Sequence, residues 1–228
     1  MELARAVDRR LDRARPRPAV YALSRGGVPV AHQVARRLGA PLDVLMPSAG
    51  TRAWRDGSAG ALQRADPPLY TLTASGGTGS GPGAAGRSGA GRLRQVPAVV
   101  PRVTGRTVVV VDDGLTEGEA VRTVIRRLRL SRPAAIVLAA PVCSPRAVAL
   151  LWALVDQLVC LDRPWYFRAV SDWYRDFRAP LDSELTQLLA EGGRPDDGLM
   201  DVSGAPPVAH RRPRRNIGEP AGRGQEGA

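Results

Sequence analysis

The sequence predicts an α/β domain with a mainly parallel central sheet flanked by helices, and three observations carry that reading. Short apolar runs alternate with helical-period segments from residue 19 to residue 161. The strongest run, "TVVVV" at 107–111, shows no polar alternation, as expected of a strand covered on both faces. The segments between runs are long enough for the helical crossovers that parallel strands require.

Taken in order, Leu3, Val7, Leu11 and Ala14 lie at helical spacing, and Pro16 and Pro18 stop that helix. "AVYAL" (19–23) reads as a strand and "SRGG" as the turn after it. "VPVAHQVARRLG" is a helix with Val30, Val34 and Leu38 on one face and Gly39 as its stop. "PLDVLM" (41–46) is a second strand, completing a β-loop-α-β unit. Between 47 and 106 only "PLYTLT" (68–73) has strand composition. The run "ASGGTGSGPGAAGRSGAGR" (74–92) holds too little apolar surface to offset chain entropy and is expected to be disordered.

Order is expected again at "RTVVVVDD" (106–113), then a helix over about 117–130 with Val121, Val124, Ile125 and Leu128 inward. A strand at 134–142, a helix at 144–154 opened by Ser144 and Pro145, and a strand at 155–161 follow. "SDWYRDF" and "LDSELTQLLAE" read as short amphipathic helices. One domain over 1–191, with a low-complexity insertion at about 74–95 and a disordered tail at 192–228, accounts for the chain.

All 33 basic residues are Arg, which with 25 Gly and 20 Pro points to a GC-biased coding sequence. The net charge of +11 is thus weak support for nucleic-acid binding, although Arg still suits small anions as a bidentate partner. The "HRRPRR" run (210–215) is read as tail composition. Cys143 and Cys160 are expected to be small buried hydrophobes in a reducing compartment, and two thiols without a nearby His make no zinc site. The N-terminal stretch lacks a signal peptide's apolar core, and no run reaches the ~18 apolar residues of a membrane span. A cytoplasmic protein without a membrane partner is expected.

The chemistry centres on Asp112 and Asp113, at the carboxyl end of the valine strand, where ligands bind in such sheets. Two readings stand: carboxylates accepting hydrogen bonds from a polyol, or an acidic strand end capping the next helix. An apolar strand, two acids, Gly and a short loop into a helix resemble the 5-phosphoribosyl pyrophosphate (PRPP) motif of type I phosphoribosyltransferases. "VYALSRGGVPVAHQVARRLGAPLDVL" (20–45) resembles the N-terminal part of a bacterial subgroup of that family, and "VCLDRPWYFRAVSDWYRDF" (159–177) its closing segment.

The resemblance implies a type I phosphoribosyltransferase-like fold and transfer of phosphoribosyl from PRPP to a nitrogenous base, with magnesium accompanying PRPP and pyrophosphate released. It implies that Asp112 and Asp113 hold the ribose hydroxyls near the anomeric carbon. Ser24, Arg25, Gly26 and Gly27 would receive pyrophosphate, and Gly114, Leu115, Thr116, Glu117, Gly118, Glu119 and Ala120 would cradle the 5′-phosphate at a helix N-terminus. A homodimer is compatible with it, and the acceptor base stays open.

The chain departs from the family pattern in two places. The usual threonines of the phosphate loop are missing, and Glu117 and Glu119 stand beside the expected dianion. At ~5 Å and an effective dielectric of ~20, each such like-charge pair costs about 3 kcal/mol before screening. Thr116 and Glu119 also have capping-box spacing, so the loop either closes on itself or stays functional with its acids turned away. Residues 46–100 match neither a basic catalytic loop nor a base-recognising hood; Arg52, Trp54 and Arg55 form a shortened lid or simply a solvated loop. His32 is expected to be a surface or satisfied histidine. A catalytically impaired relative that binds a nucleotide or phosphosugar as a regulator is the alternative function.

Overall fold

A computed structural model of the chain describes residues 2–12, 14–47, 69–74, 93–97 and 103–193. Its strands are β1 (Ala19–Ala22), β2 (Leu42–Val44), β3 (Met46–Pro47), β4 (Leu69–Ala74), β5 (Leu93–Pro97), β6 (Thr107–Val111), β7 (Ala135–Val142) and β8 (Gln157–Asp162). Its helices are α1 (Glu2–Asp8), α2 (Gly27–Leu38), α3 (Glu119–Leu130), α4 (Pro145–Leu151) and α5 (Asp182–Gly192). Five strands form an all-parallel sheet in the order β2-β1-β6-β7-β8. This is the predicted α/β architecture.

The valine run explains the layering. All five residues of β6 are buried. Val109 and Val111 pack with residues of α1, α2 and α5, such as Val7, Val34 and Leu185. Val108 and Val110 point the other way, onto Val124, Ile125 and Leu128 of α3 and Leu151 of α4. Successive strand residues face opposite sides, so helices on both sides remove any place for a polar alternate. Val109 and Val111 each lie opposite a buried β1 residue, Val20 and Ala22.

The strand order places the site. From β1 the chain crosses to β2 on one side and later returns to β6 on the other, so β1 and β6 flank a topological switch point. At that point the loops leaving neighbouring strands diverge and open a crevice. Ala22 lies opposite Val111, so the segments after both strands emerge together.

Several expectations need correction. The strand expected at 41–46 splits in two. Leu45 still donates its N–H to the Ala22 carbonyl, but Met46 pairs antiparallel with Tyr70, taking the chain into a second sheet, β3-β4-β5. β5 was not expected; it falls largely in the segment read as low complexity, and it pairs antiparallel with β4. Its identity comes from that partner rather than from any strand signal of its own. The "SDWYRDF" helix reduces to a 3-10 turn, Val170–Trp173, after which Tyr174 is extended. The N-terminal helix ends at Asp8 rather than continuing to Ala14.

Cys143 and Cys160 are joined in a disulfide, with Cα atoms 6.3 Å apart, contrary to the expectation of two free thiols. Cys143 follows the last residue of β7 and Cys160 lies in the neighbouring β8, so the two meet across adjacent strands. The inference of a reducing compartment from unpaired thiols therefore loses its basis. Among the described residues no helix is long and apolar enough to cross a membrane. The Arg52, Trp54 and Arg55 lid, the 75–92 glycine-rich run and the 194–228 tail lie outside the described residues.

Candidate functional site

Two loops separated by 88 positions in sequence meet at the switch point. The Ser24 hydroxyl donates to Asp112 Oδ1 at 2.6 Å and, at 3.5 Å, approaches Asp113 Oδ1. The same Ser24 oxygen accepts the Gly27 N–H at 2.8 Å, which closes the bend at the start of α2. Asp112 Oδ1 also accepts the Asp113 N–H at 3.0 Å. The serine thus ties the "SRGG" turn to the acid pair.

The glycines are required by proximity. A Cβ on Gly26 would overlap the Asp113 carboxylate, and one on Gly27 would lie 3.0 Å from Asp112 Oδ1. Gly26 has ordinary helical angles, φ −66° and ψ −30°, so only the contact opposes alanine there. Gly26→Ala should turn the Asp113 carboxylate aside at about 1–2 kcal/mol, a fall in Tm of roughly 2–6 °C. Thermal unfolding followed by circular dichroism measures this; an unchanged Tm would mean that bend and acid are not packed together.

The two acids differ in environment. Both are half-buried; desolvation pushes the Asp112 carboxyl well above the usual 3.8, with the charge of Asp113 raising it further. Asp113 lines a cavity of about 720 Å3 that also takes in Arg25, Gly26, Tyr174 and Glu191. Of the two acids, Asp113 is the one that lines this cavity. The Tyr174 hydroxyl donates to the Asp113 carbonyl at 2.6 Å, and its own ionisation is pushed upward by burial and by both aspartates. Val170 packs so tightly on Gly114 that an added Cβ would come within 2.7 Å of its methyls. Tyr174 and Val170 thus clamp the acid loop from the closing segment.

Residues 114–120 lead away from the cavity toward α3. The Leu115 N–H donates to the Val142 carbonyl and its carbonyl accepts from Ser144, tying the loop to the end of β7. The Ser144 hydroxyl also reaches the Thr116 carbonyl. Gly118, at φ 81°, is the N-cap of α3 and makes no side-chain cap bond, so the Thr116–Glu119 capping box does not form. Glu119 instead pairs with Arg122 at 2.5 Å, and Glu117 lies 3.9 Å from Arg146. Both acids thus have arginine partners, which offsets the repulsion expected for a bound dianion. The first N–H groups of α3 have no intrahelical acceptors by construction.

Arg25 lies at the cavity rim but pairs with Asp182 of α5, whose other oxygen accepts the Leu93 N–H at 3.1 Å. His32 is buried, with Nε2 3.2 Å from Glu191 Oε2. Sequence reasoning missed Tyr174, Val170, Asp182 and Glu191 as neighbours of the site. The closing segment around "WYRDF" was the one signal pointing to the first two. Among the described residues no cluster of three or more His, Cys, Asp or Glu is arranged to hold a metal.

Comparison with known proteins agrees with this geometry. A family model described as "Phosphoribosyl transferase domain" matches residues 1–170. Proteins from two strains of Mycobacterium tuberculosis, CDC 1551 / Oshkosh and H37Rv, each provisionally named a phosphoribosyl transferase, are 31% identical over 202 residues. The match takes in 83% of this chain and 45% of either relative, so the chain spans less than half the length of those curated proteins. The crystal structure of TT1426 from Thermus thermophilus superposes with a TM-score of 0.55 at 26% identity, over 84% of this chain and 94% of that one.

Proposed function

The chain belongs to the phosphoribosyl transferase domain family, and from that premise we propose that it transfers phosphoribosyl from PRPP to a nitrogenous base. The observation that carries the proposal is the contact between the Asp112–Asp113 pair and the 24–27 bend at one switch point. In this reading Asp113 receives the ribose hydroxyls, and Asp112 holds the bend and its partner acid in place. The bend, with Ser24, Arg25, Gly26 and Gly27, receives pyrophosphate. The 5′-phosphate lies at the N-terminus of α3, beside residues 114–120, where unpaired N–H groups and the helix dipole favour an anion.

The reaction forms a bond from a ring nitrogen to the anomeric carbon as the bond to pyrophosphate breaks. Pyrophosphate leaves with the electron pair, and the ring N–H proton passes to solvent. Positive charge develops at the sugar carbon, and a carboxylate beside it lowers the barrier electrostatically. Magnesium suits the donor set: it binds through one or two carboxylates plus substrate phosphates, and Asp113 opens onto the cavity. Bound there, it would neutralise the leaving pyrophosphate.

One observation favours a second reading, binding without turnover: Arg25 is already paired with Asp182. Isothermal calorimetry with PRPP and magnesium, followed by pyrophosphate release with a panel of bases, separates the two. Micromolar binding with release supports transfer. Binding without release from any base supports a sensor, and a flat isotherm sinks both.

A further inference from the structure

The 24–27 bend carries one cation, Arg25, and the fold already gives that cation an anionic partner. Asp182, the first residue of α5, takes Arg25 Nη2 on Oδ1 and the Leu93 N–H on Oδ2, the latter at 3.1 Å. Arg25 also lines the 720 Å3 cavity beside Asp113. Its guanidinium therefore meets both a carboxylate of the protein and the open cavity.

The backbones on either side of this pair are held by other contacts. Ser24 fixes the bend through Asp112 and the Gly27 N–H. Helix α5 is anchored by the buried Leu185, by the Leu181 N–H on Glu184, and by the Gly193 carbonyl, which accepts the Leu42 N–H at 2.8 Å. His32 Nε2, 3.2 Å from Glu191 Oε2, ties it to α2 as well. A change of partner at Arg25 thus needs only side-chain rotation. Neither group is stranded by it. Asp182 keeps the Leu93 N–H and the favourable field of a helix N-terminus, and Arg25 offers its fork of donors to phosphate oxygens. The two side chains are 35% and 33% exposed, so solvent screens the pair and leaves it weak enough to exchange.

Resting on the transferase reading above, we propose that Asp182 is a competing anion that pyrophosphate must displace from Arg25, and that it thereby limits how tightly pyrophosphate is held. Between turnovers Asp182 occupies the guanidinium. With pyrophosphate bound, Arg25 passes to a phosphate oxygen, and the return of Asp182 speeds departure. Asparagine at 182 has a carbonyl oxygen for the Leu93 N–H, and in either orientation of its amide the charge that competes for Arg25 is gone. That loss should tighten pyrophosphate binding about tenfold.

The test titrates the full chain with magnesium pyrophosphate by calorimetry, for the parent, Asp182→Asn, Arg25→Gln and the double variant, with a thermal melt of each. Asp182→Asn should bind about tenfold tighter, and Arg25→Gln should remove that gain, a coupling that altered packing alone does not produce. Asp182→Ser, whose hydroxyl oxygen also accepts the Leu93 N–H, repeats the comparison and should shift the same way. Equal or weaker binding in both Asp182 variants overturns the inference, as does a gain that persists beside Arg25→Gln, or no pyrophosphate binding by any of the proteins. The PRPP isotherm is recorded separately. A flat PRPP isotherm beside tightened pyrophosphate binding sinks the transferase reading and leaves the exchange at Arg25 standing. PRPP binding and turnover without tightening sinks the exchange alone.

Discussion

Asp113→Asn should lower PRPP turnover by about two orders of magnitude while moving Tm by no more than a few degrees. The amide has the same shape and keeps the backbone carbonyl that Tyr174 engages, so the clamp on the loop survives. What is lost is one negative charge at the cavity wall. At ~5 Å from a developing positive charge and an effective dielectric of ~20, that charge contributes about 3 kcal/mol, or roughly 10²-fold in rate. Pyrophosphate release under saturating PRPP, beside a thermal melt of the same sample, checks both halves. A rate within threefold of the parent would remove Asp113 from the reaction.

Asp112→Asn should raise Tm at neutral pH. Burial, and after it the charge of Asp113, raises the Asp112 carboxyl well above 3.8. A group whose folded value is raised adds its stability fully below the unfolded value, here 3.8, and loses it as pH climbs through the folded value. Above 3.8 the unfolded chain therefore ionises this acid more readily than the fold does, and the parent loses stability as pH rises. Asparagine stays neutral, and its Oδ1 can still accept from Ser24 and from the Asp113 N–H. The stability gap between variant and parent should be near zero below pH 3.8, widen as pH rises, and level off above the folded value. A gain of a few degrees at pH 8 is expected for a domain of this size. Melts at intervals from pH 3 to pH 8 measure it, and a variant less stable than the parent at pH 8 contradicts the account.

Much of the fold was legible. Strand β6 could be read from its valines, and α2 and α3 from their apolar spacing, because burial on both faces of a sheet and on one face of a helix leaves periodic marks. The acid pair was legible from its place at a strand end, and the 24–27 bend from its glycines. Strand β5 was not, because "LRQVP" takes its conformation from pairing with β4 rather than from its own pattern. The disulfide was not, because its two cysteines are 17 positions apart and meet only once β7 and β8 lie side by side. Tyr174 was placed in a helix although it is extended, since its contact with Asp113 spans 61 positions and overrides local propensity.

By itself the sequence determined which segments become strands and helices, and that two carboxylates end the central strand. Hydrophobic periodicity and turn chemistry are local, and a chain carries local preferences in its order of residues. Only the tertiary structure decided that Asp113 lines a cavity, that Ser24 ties the 24–27 bend to the acid pair, and that Arg25 is held by Asp182. Those outcomes depend on groups brought together by parallel crossovers, and burial and charge pairing act through space, not along the chain.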